Sequence, residues 1–159
     1  NEWHYAFWDL NQDGSDELLI GDVKTIAAVY YLKDKQPTLL HVAYVASAGG
    51  YRSSLEAYDN GQLAYASWQS TQPEMELILY SLEKGEAKEE KKATIQIGGK
   101  ETVEQALGIS AKKLELTKLD WKKIASEDKA QTTAKTEEKK FGSFQVQVSV
   151  ADLRIRKEP

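Results

Sequence analysis

Short apolar, β-branched and aromatic stretches, separated by turn residues, fill the first two-thirds of the chain. They read as strands. Trp3–Leu10 is aromatic-rich, and Glu17–Val23 is a short apolar run. Thr25–Leu32 and Thr38–Ala46 flank the turn Lys33-Asp34-Lys35-Gln36-Pro37. Tyr51–Tyr58 and Leu63–Trp68 flank Asp59-Asn60-Gly61, where Asn-Gly favours positive φ and a tight hairpin. Met75–Leu82 and Ala87–Ile97 surround Glu83-Lys84-Gly85-Glu86, a further hairpin signal. Helix signals come only afterwards. Thr102 with Gln105 forms a capping box, Val103, Ala106 and Leu107 share a face, and Gly108 ends the helix. Between Ser110 and Ile124 the apolar residues fit neither period, and a short turn or strand followed by a helical turn at Asp120–Ala125 is expected. The fold class is α+β, mainly antiparallel β with seven to eight short strands, closed or folded over on itself, and one or two short helices after the strands.

The pattern then changes twice. Ser126–Lys140 has no aromatic or large aliphatic residue, and its four acids balance four lysines, so it reads as a linker. In residues 141–159 strict alternation returns: Phe144, Val146, Val148 and Val150 on one face, Gln145, Gln147 and Ser149 on the other. The expected organisation is a β-rich domain over 1–125, a linker over 126–140, and over 141–159 either a last strand of the main sheet or the start of a second, truncated domain.

Composition narrows the chemistry. The absence of cysteine excludes a disulfide framework, a thiolate zinc site and a Cys nucleophile. His4 and His41 have no partner at catalytic spacing, and Ser53 and Ser54 have no base near them in sequence, so no catalytic residue is assigned. The many aromatics could form sugar platforms, but cross-strand packing accounts for them more simply. The net charge of −4 conceals an asymmetry: residues 1–23 carry six acids and no base, leaving nineteen acids against all twenty-one bases from Lys24 onward. Lys and Arg interleaved with acids do not make a phosphate-tracking surface, so nucleic acid is not an expected partner. The acids point to a cation.

Four of the six lie in Asp9-Leu10-Asn11-Gln12-Asp13-Gly14-Ser15-Asp16-Glu17. Oxygen side chains at the first, third and fifth positions, Gly at the sixth and an acid at the ninth suit Ca²⁺, which takes six to eight hard oxygens. Asp9, Asn11 and Asp13 are the expected side-chain ligands, Ser15 a carbonyl ligand, and Glu17 the closing carboxylate. The twelfth position is Ile20, not the bidentate Glu of an EF-hand, and the preceding stretch reads as a strand. A plain Asx-rich turn would explain Asn11, Asp13 and Gly14, but not four like charges in one loop.

The stretch Asp9–Gly21 (DLNQDGSDELLIG) resembles the calcium loop of FG-GAP repeats. The wider Tyr5–Gly21 (YAFWDLNQDGSDELLIG) is similar to a segment of exported lipoproteins and surface proteins of Gram-positive bacteria. Phe144–Pro159 (FQVQVSVADLRIRKEP) resembles the opening of a bacterial SH3-type domain, with Leu153, Ile155, Arg156 and Pro159 matching and Arg154 and Glu158 departing. These resemblances imply an extracytoplasmic, cell-envelope or secreted protein that binds one Ca²⁺ and acts as a non-catalytic binding or adhesion module. A cell-wall peptide or polysaccharide, or a protein, would be its partner. The alternative is an inhibitor or accessory domain of a cell-wall enzyme. Because the chain starts at Asn1 rather than Met, a removed upstream segment is expected, and membrane association would come only through a lipid anchor there.

Overall fold

The computed structural model describes residues 2–43 and 50–125. Nine strands form one antiparallel sheet: β1 (His4–Trp8), β2 (Glu17–Gly21), β3 (Ile26–Lys33), β4 (Gln36–Val42), β5 (Tyr51–Ala57), β6 (Gln62–Gln69), β7 (Glu74–Glu83), β8 (Glu86–Gln96) and β9 (Lys122–Lys123). Helical structure is confined to α1 (Val103–Leu107) and a 3₁₀ turn at Leu116–Lys118. Among the described residues no helix is long and apolar enough to cross a membrane.

Local turn chemistry accounts for two of the hairpins. Asp34 and Lys35 (φ 50° and 62°) and Lys84 and Gly85 (φ 49° and 76°) close β3–β4 and β7–β8 as two-residue turns with both central residues left-handed. Such turns match the twist of the strands they join. In the β5–β6 turn only Gly61 takes positive φ (83°), and Asn60 does not. The order is β8-β7-β6-β5-β3-β2-β1-β9, with β4 off this path. Ile26 pairs with both Gly21 and Leu55, and Ala28 with both Ile20 and Val42. Hence β4 and β5 share the edge of β3 opposite β2, and the sheet forks there. Beyond the fork β4 lies across its neighbours: the His41 ring stacks on Tyr65 of β6 at 3.5 Å between centroids. The sheet also curls, because Asn11, in the β1–β2 loop, donates to the Leu82 carbonyl at the end of β7 (3.2 Å).

Alternation sorts side chains into three apolar clusters. The central one holds Leu10, Leu19, Val29, Leu55, Leu63, Tyr65 and Leu82. On the opposite face of β6–β8, Ala106 and Leu107 of α1 cover Ala64, Ala66, Leu77 and Leu79. On the opposite face of β1–β3 lie Leu18, Ile20 and Ala28, with Tyr5, Phe7 and Ile124 against them. The capping box forms, with Gln105 N–H donating to Thr102 Oγ1 (3.2 Å) and Thr102 N–H to Gln105 Oε1 (3.0 Å), and Gly108 closes the helix at φ 73°.

One expectation is corrected. Residues 120–125 do not form a helical turn; the 3₁₀ turn comes earlier, and Lys122 and Lys123 pair with Tyr5 and His4. Leu119 is buried in the central cluster with Leu116 and Trp121 against it, and Trp121 Nε1–H donates to the Leu116 carbonyl (2.7 Å). The chain beyond runs extended because the open edge of β1 offers backbone partners there. The linker and tail, 126–159, lie outside the described residues.

Candidate metal centre

Strands β1 and β2 pair from His4↔Gly21 to Trp8↔Glu17, so residues 9–16 form the loop closing this hairpin. The loop is wound by its own side chains. Asp9 Oδ1 accepts from Asp13 N–H (3.1 Å) and Oδ2 from Gly14 N–H (2.9 Å). Asn11 Oδ1 also accepts from Asp13 N–H (3.2 Å), and Asp13 Oδ1 from Ser15 N–H (2.8 Å). Gln12 and Gly14 take positive φ (58° and 90°), and a Cβ on Gly14 would meet nothing within 4 Å, so backbone conformation rather than space favours glycine there. A neighbouring turn braces the loop. A Cβ on Gly61 would stand 2.8 Å from Asn11 Cα and 3.0 Å from the Leu10 carbonyl oxygen.

Glu17 shares the strand face of Leu19, by the period of two, and so turns toward the central core. It is only 4% exposed. Leu10 N–H donates to its Oε2 (2.8 Å). Burial is the main cause that pushes the Glu17 carboxyl up to about 7; the Leu10 bond opposes this, and the charges of Asp13, Asp9 and Asp16 reinforce it. Asp16 is also raised, by burial and then by Asp9. Among the described residues the ion pairs join lysines to Glu2, Glu56, Glu89, Glu90, Glu104, Glu115 and Asp120, and none reaches a loop acid.

The loop separates two hollows. Asn11, Asp13, Ser15 and Glu17 line one of about 210 Å³, whose remaining surface comes from Tyr31 and Leu32 of β3 and from Leu82, Lys84 and Gly85 at the β7–β8 turn. Asp9 lines the other, about 390 Å³, with Gln12 and Asp16 from the loop and Phe7, Trp8, Asp59 and Leu114 around them. Four of the five expected ligands therefore share one hollow. Asp9 is turned to the opposite side, held by the N–H groups of Asp13 and Gly14. Among the described residues no three acid or histidine side chains are already gathered as a metal-holding group. The shared set contains two carboxylates, one amide and Ser15, so an ion there would draw on amide and carbonyl oxygens as well. All these donors are hard oxygens, which suits Ca²⁺ over softer metals.

Loop spacing pointed to Asn11, Asp13, Ser15 and Glu17. It carried no signal for Gly61, Leu82 or Lys84, which reach the site from distant turns. The Tyr58 hydroxyl, which donates to Glu104 Oε1 (3.0 Å) beside the Lys113–Glu104 ion pair (3.4 Å), was equally unmarked. Compared with protein-family models, with curated proteins and with solved structures, the chain matches none.

Proposed function

We propose that this chain is an extracytoplasmic, non-catalytic binding or adhesion module of a bacterial envelope protein, with one Ca²⁺ held by the β1–β2 loop. The observation that carries the metal reading is the place of Glu17: a carboxylate 4% exposed at the end of the central core, lining one hollow with Asn11, Asp13 and Ser15. A buried carboxylate without a cationic partner is costly, and a divalent ion supplies that partner. Asn11, Asp13 and Glu17 would hold it through side chains and Ser15 through its carbonyl. Asp9, turned to the other hollow, keeps the loop wound through the N–H groups of Asp13 and Gly14. Calcium contributes charge neutralisation and a fixed angle between β1 and β2. Extracellular sites of this kind bind at roughly 10⁻⁴–10⁻³ M. At about 5 mM Ca²⁺ the folded state then gains about 1–2 kcal/mol. Calorimetric titration of the full chain with calcium chloride, paired with thermal melts, tests this. Heat and a raised melting temperature in the wild type, both lost in Asp13→Ala, support it; no response at millimolar calcium refutes it.

The envelope setting and a cell-wall peptide or polysaccharide partner rest on the resemblance of residues 5–21 and 144–159 to exported proteins. A second reading, an inhibitor or accessory domain of a cell-wall enzyme, is favoured by the exposure of Leu39 and Val42 on β4 and of Tyr51 at the start of β5. Retention on purified cell wall, lost when residues 141–159 are deleted, supports the first reading. Retention of a wall hydrolase by immobilised domain, lost in Leu39→Ser, supports the second.

A further inference from the structure

The β5–β6 turn carries chemistry that the metal reading does not use. Asn60 is followed by Gly61, whereas neither Asn1 nor Asn11 precedes a glycine. Asparagine is a labile residue, and most so before glycine, whose backbone nitrogen has no neighbouring side chain to keep it from the asparagine amide carbon. Asn60 is exposed and Gly61 is buried. Hydrogen bonds hold both reacting groups to other partners. Gly61 N–H donates to the Tyr58 carbonyl (3.2 Å), so its proton is withheld from base in the solvent. Asn60 Oδ1 accepts from Gln62 N–H (3.1 Å), and Asn60 Nδ2 donates to Gln62 Oε1 (2.8 Å), so the side-chain amide is fixed on Gln62 instead of folding back on Gly61. Tyr58 N–H donates to the Gln62 carbonyl (2.9 Å) and closes the turn at its base.

We propose that Asn60 is a self-modification site latched by its own turn: it converts to aspartate and to β-linked aspartate when the turn opens, and is protected while the turn is closed. In the open turn Gly61 N gives up its proton and bonds to Asn60 Cγ, the Cγ–Nδ2 bond breaks, and Nδ2 leaves as ammonia. Water then opens the resulting five-membered imide. Cleavage between Gly61 N and Cγ leaves ordinary aspartate. Cleavage of the original peptide bond leaves the chain running through Cβ and Cγ, one carbon longer. The longer backbone does not refit. Gly61 lies so close to the acidic loop that one added atom at its Cα would stand 2.8 Å from Asn11 Cα and 3.0 Å from the Leu10 carbonyl oxygen. The modification thereby reaches the β1–β2 loop, whether or not that loop holds an ion.

The test incubates the full chain at pH 8 in heavy-oxygen water, native and in concentrated urea. The peptide containing Asn60 is followed by mass spectrometry, with the two products separated by chromatography. In urea it should lose ammonia and take up one heavy oxygen, and the native chain should convert about tenfold or more slowly. Gln62→Ala keeps the backbone bond and removes the Oε1 latch; it should speed native conversion about two- to tenfold and leave the rate in urea unchanged. Asn60→Gln should abolish the label at this position in both conditions. Should Gln62→Ala fail to fold, wild-type conversion across urea concentrations below the melt should rise with the open fraction. Equal native and urea rates, no conversion in urea, a native rate unmoved by Gln62→Ala, or a flat rate across that urea range overturns the proposal. The purified β-linked product should melt below the aspartate product; equal melting overturns the link to the loop.

Discussion

Replacing Glu17 by Gln should stabilise the calcium-free protein at pH 8, although it alters a buried polar residue. The unfolded carboxyl ionises near 4.5 and the folded one near 7. Between these values the folded state holds a proton that the unfolded state has released. Stability therefore falls as pH rises through that window, opposite to the common case of a carboxylate paired in the fold. The difference corresponds to about 3 kcal/mol, fully present below pH 4.5 and lost above pH 7. Gln mimics the protonated form, and its amide oxygen can still accept from Leu10 N–H. For a domain of this size the gain translates to roughly 10 °C at pH 8. Melts followed by circular dichroism in chelator, from pH 5 to 8.5, are the assay. The wild type should lose melting temperature across the range, whereas Glu17→Gln should change far less. Adding calcium at pH 8 should raise the wild-type melt and leave the variant where it is. A variant that melts below the wild type at pH 8, or a wild type flat between pH 5 and 7, would refute the assignment of a strained buried carboxylate.

Three other outcomes can be checked with similar means. Gly61→Ala places a Cβ 2.8 Å from Asn11 Cα at a residue with φ 83°, and should cost about 1–3 kcal/mol by denaturant titration while weakening the calcium response. Thr102→Ala removes the bond from Gln105 N–H to Thr102 Oγ1, leaving the backbone half of the capping box, and should cost about 1 kcal/mol without altering calcium binding. Burial holds the His41 imidazole below its ordinary range, so its folded state resists protonation and stability falls as pH drops below 6.5; in a Glu17→Gln background, His41→Phe should remove that loss, seen as a flatter melting profile between pH 7 and 5.

The parts that were legible in sequence are those decided within a few residues. Each of the eight expected strand stretches contains an observed strand or overlaps one, because the turns between them carry their own backbone chemistry: Asp34-Lys35 and Lys84-Gly85 fix two hairpins locally. The cap on α1 is equally local, requiring only Thr102, Gln105 and Gly108. Lys122 and Lys123 were not legible. Two lysines show no apolar period, and their pairing answers the unfilled edge of β1, a partner more than a hundred residues away. In the loop, spacing fixed the order of oxygen donors but not the side to which each turns. Asp9 is drawn away from the other four by the N–H groups of Asp13 and Gly14, a contest between backbone and hollow that residue types alone do not decide. The fork at β3 and the curl that brings Leu82 to Asn11 are likewise products of the whole sheet.

The short β1–β9 ladder has a mechanical meaning. His4 faces Lys123, Tyr5 faces Lys122, and Ile124 N–H donates to the Trp3 carbonyl (2.8 Å), so the two backbones enter this edge side by side from the same end. A pull applied at residues 2 and 125 opens such an antiparallel pair like a zipper, one contact after another, instead of loading all its bonds in shear. The loop at residues 9–17 lies past the far end of β1 and bears no tension until the ladder has parted. Force transmitted along the chain would thus be relieved first by β9 peeling away, with the end that carries the acidic loop still folded. The edge strand serves as a fuse, and the loop sits behind it.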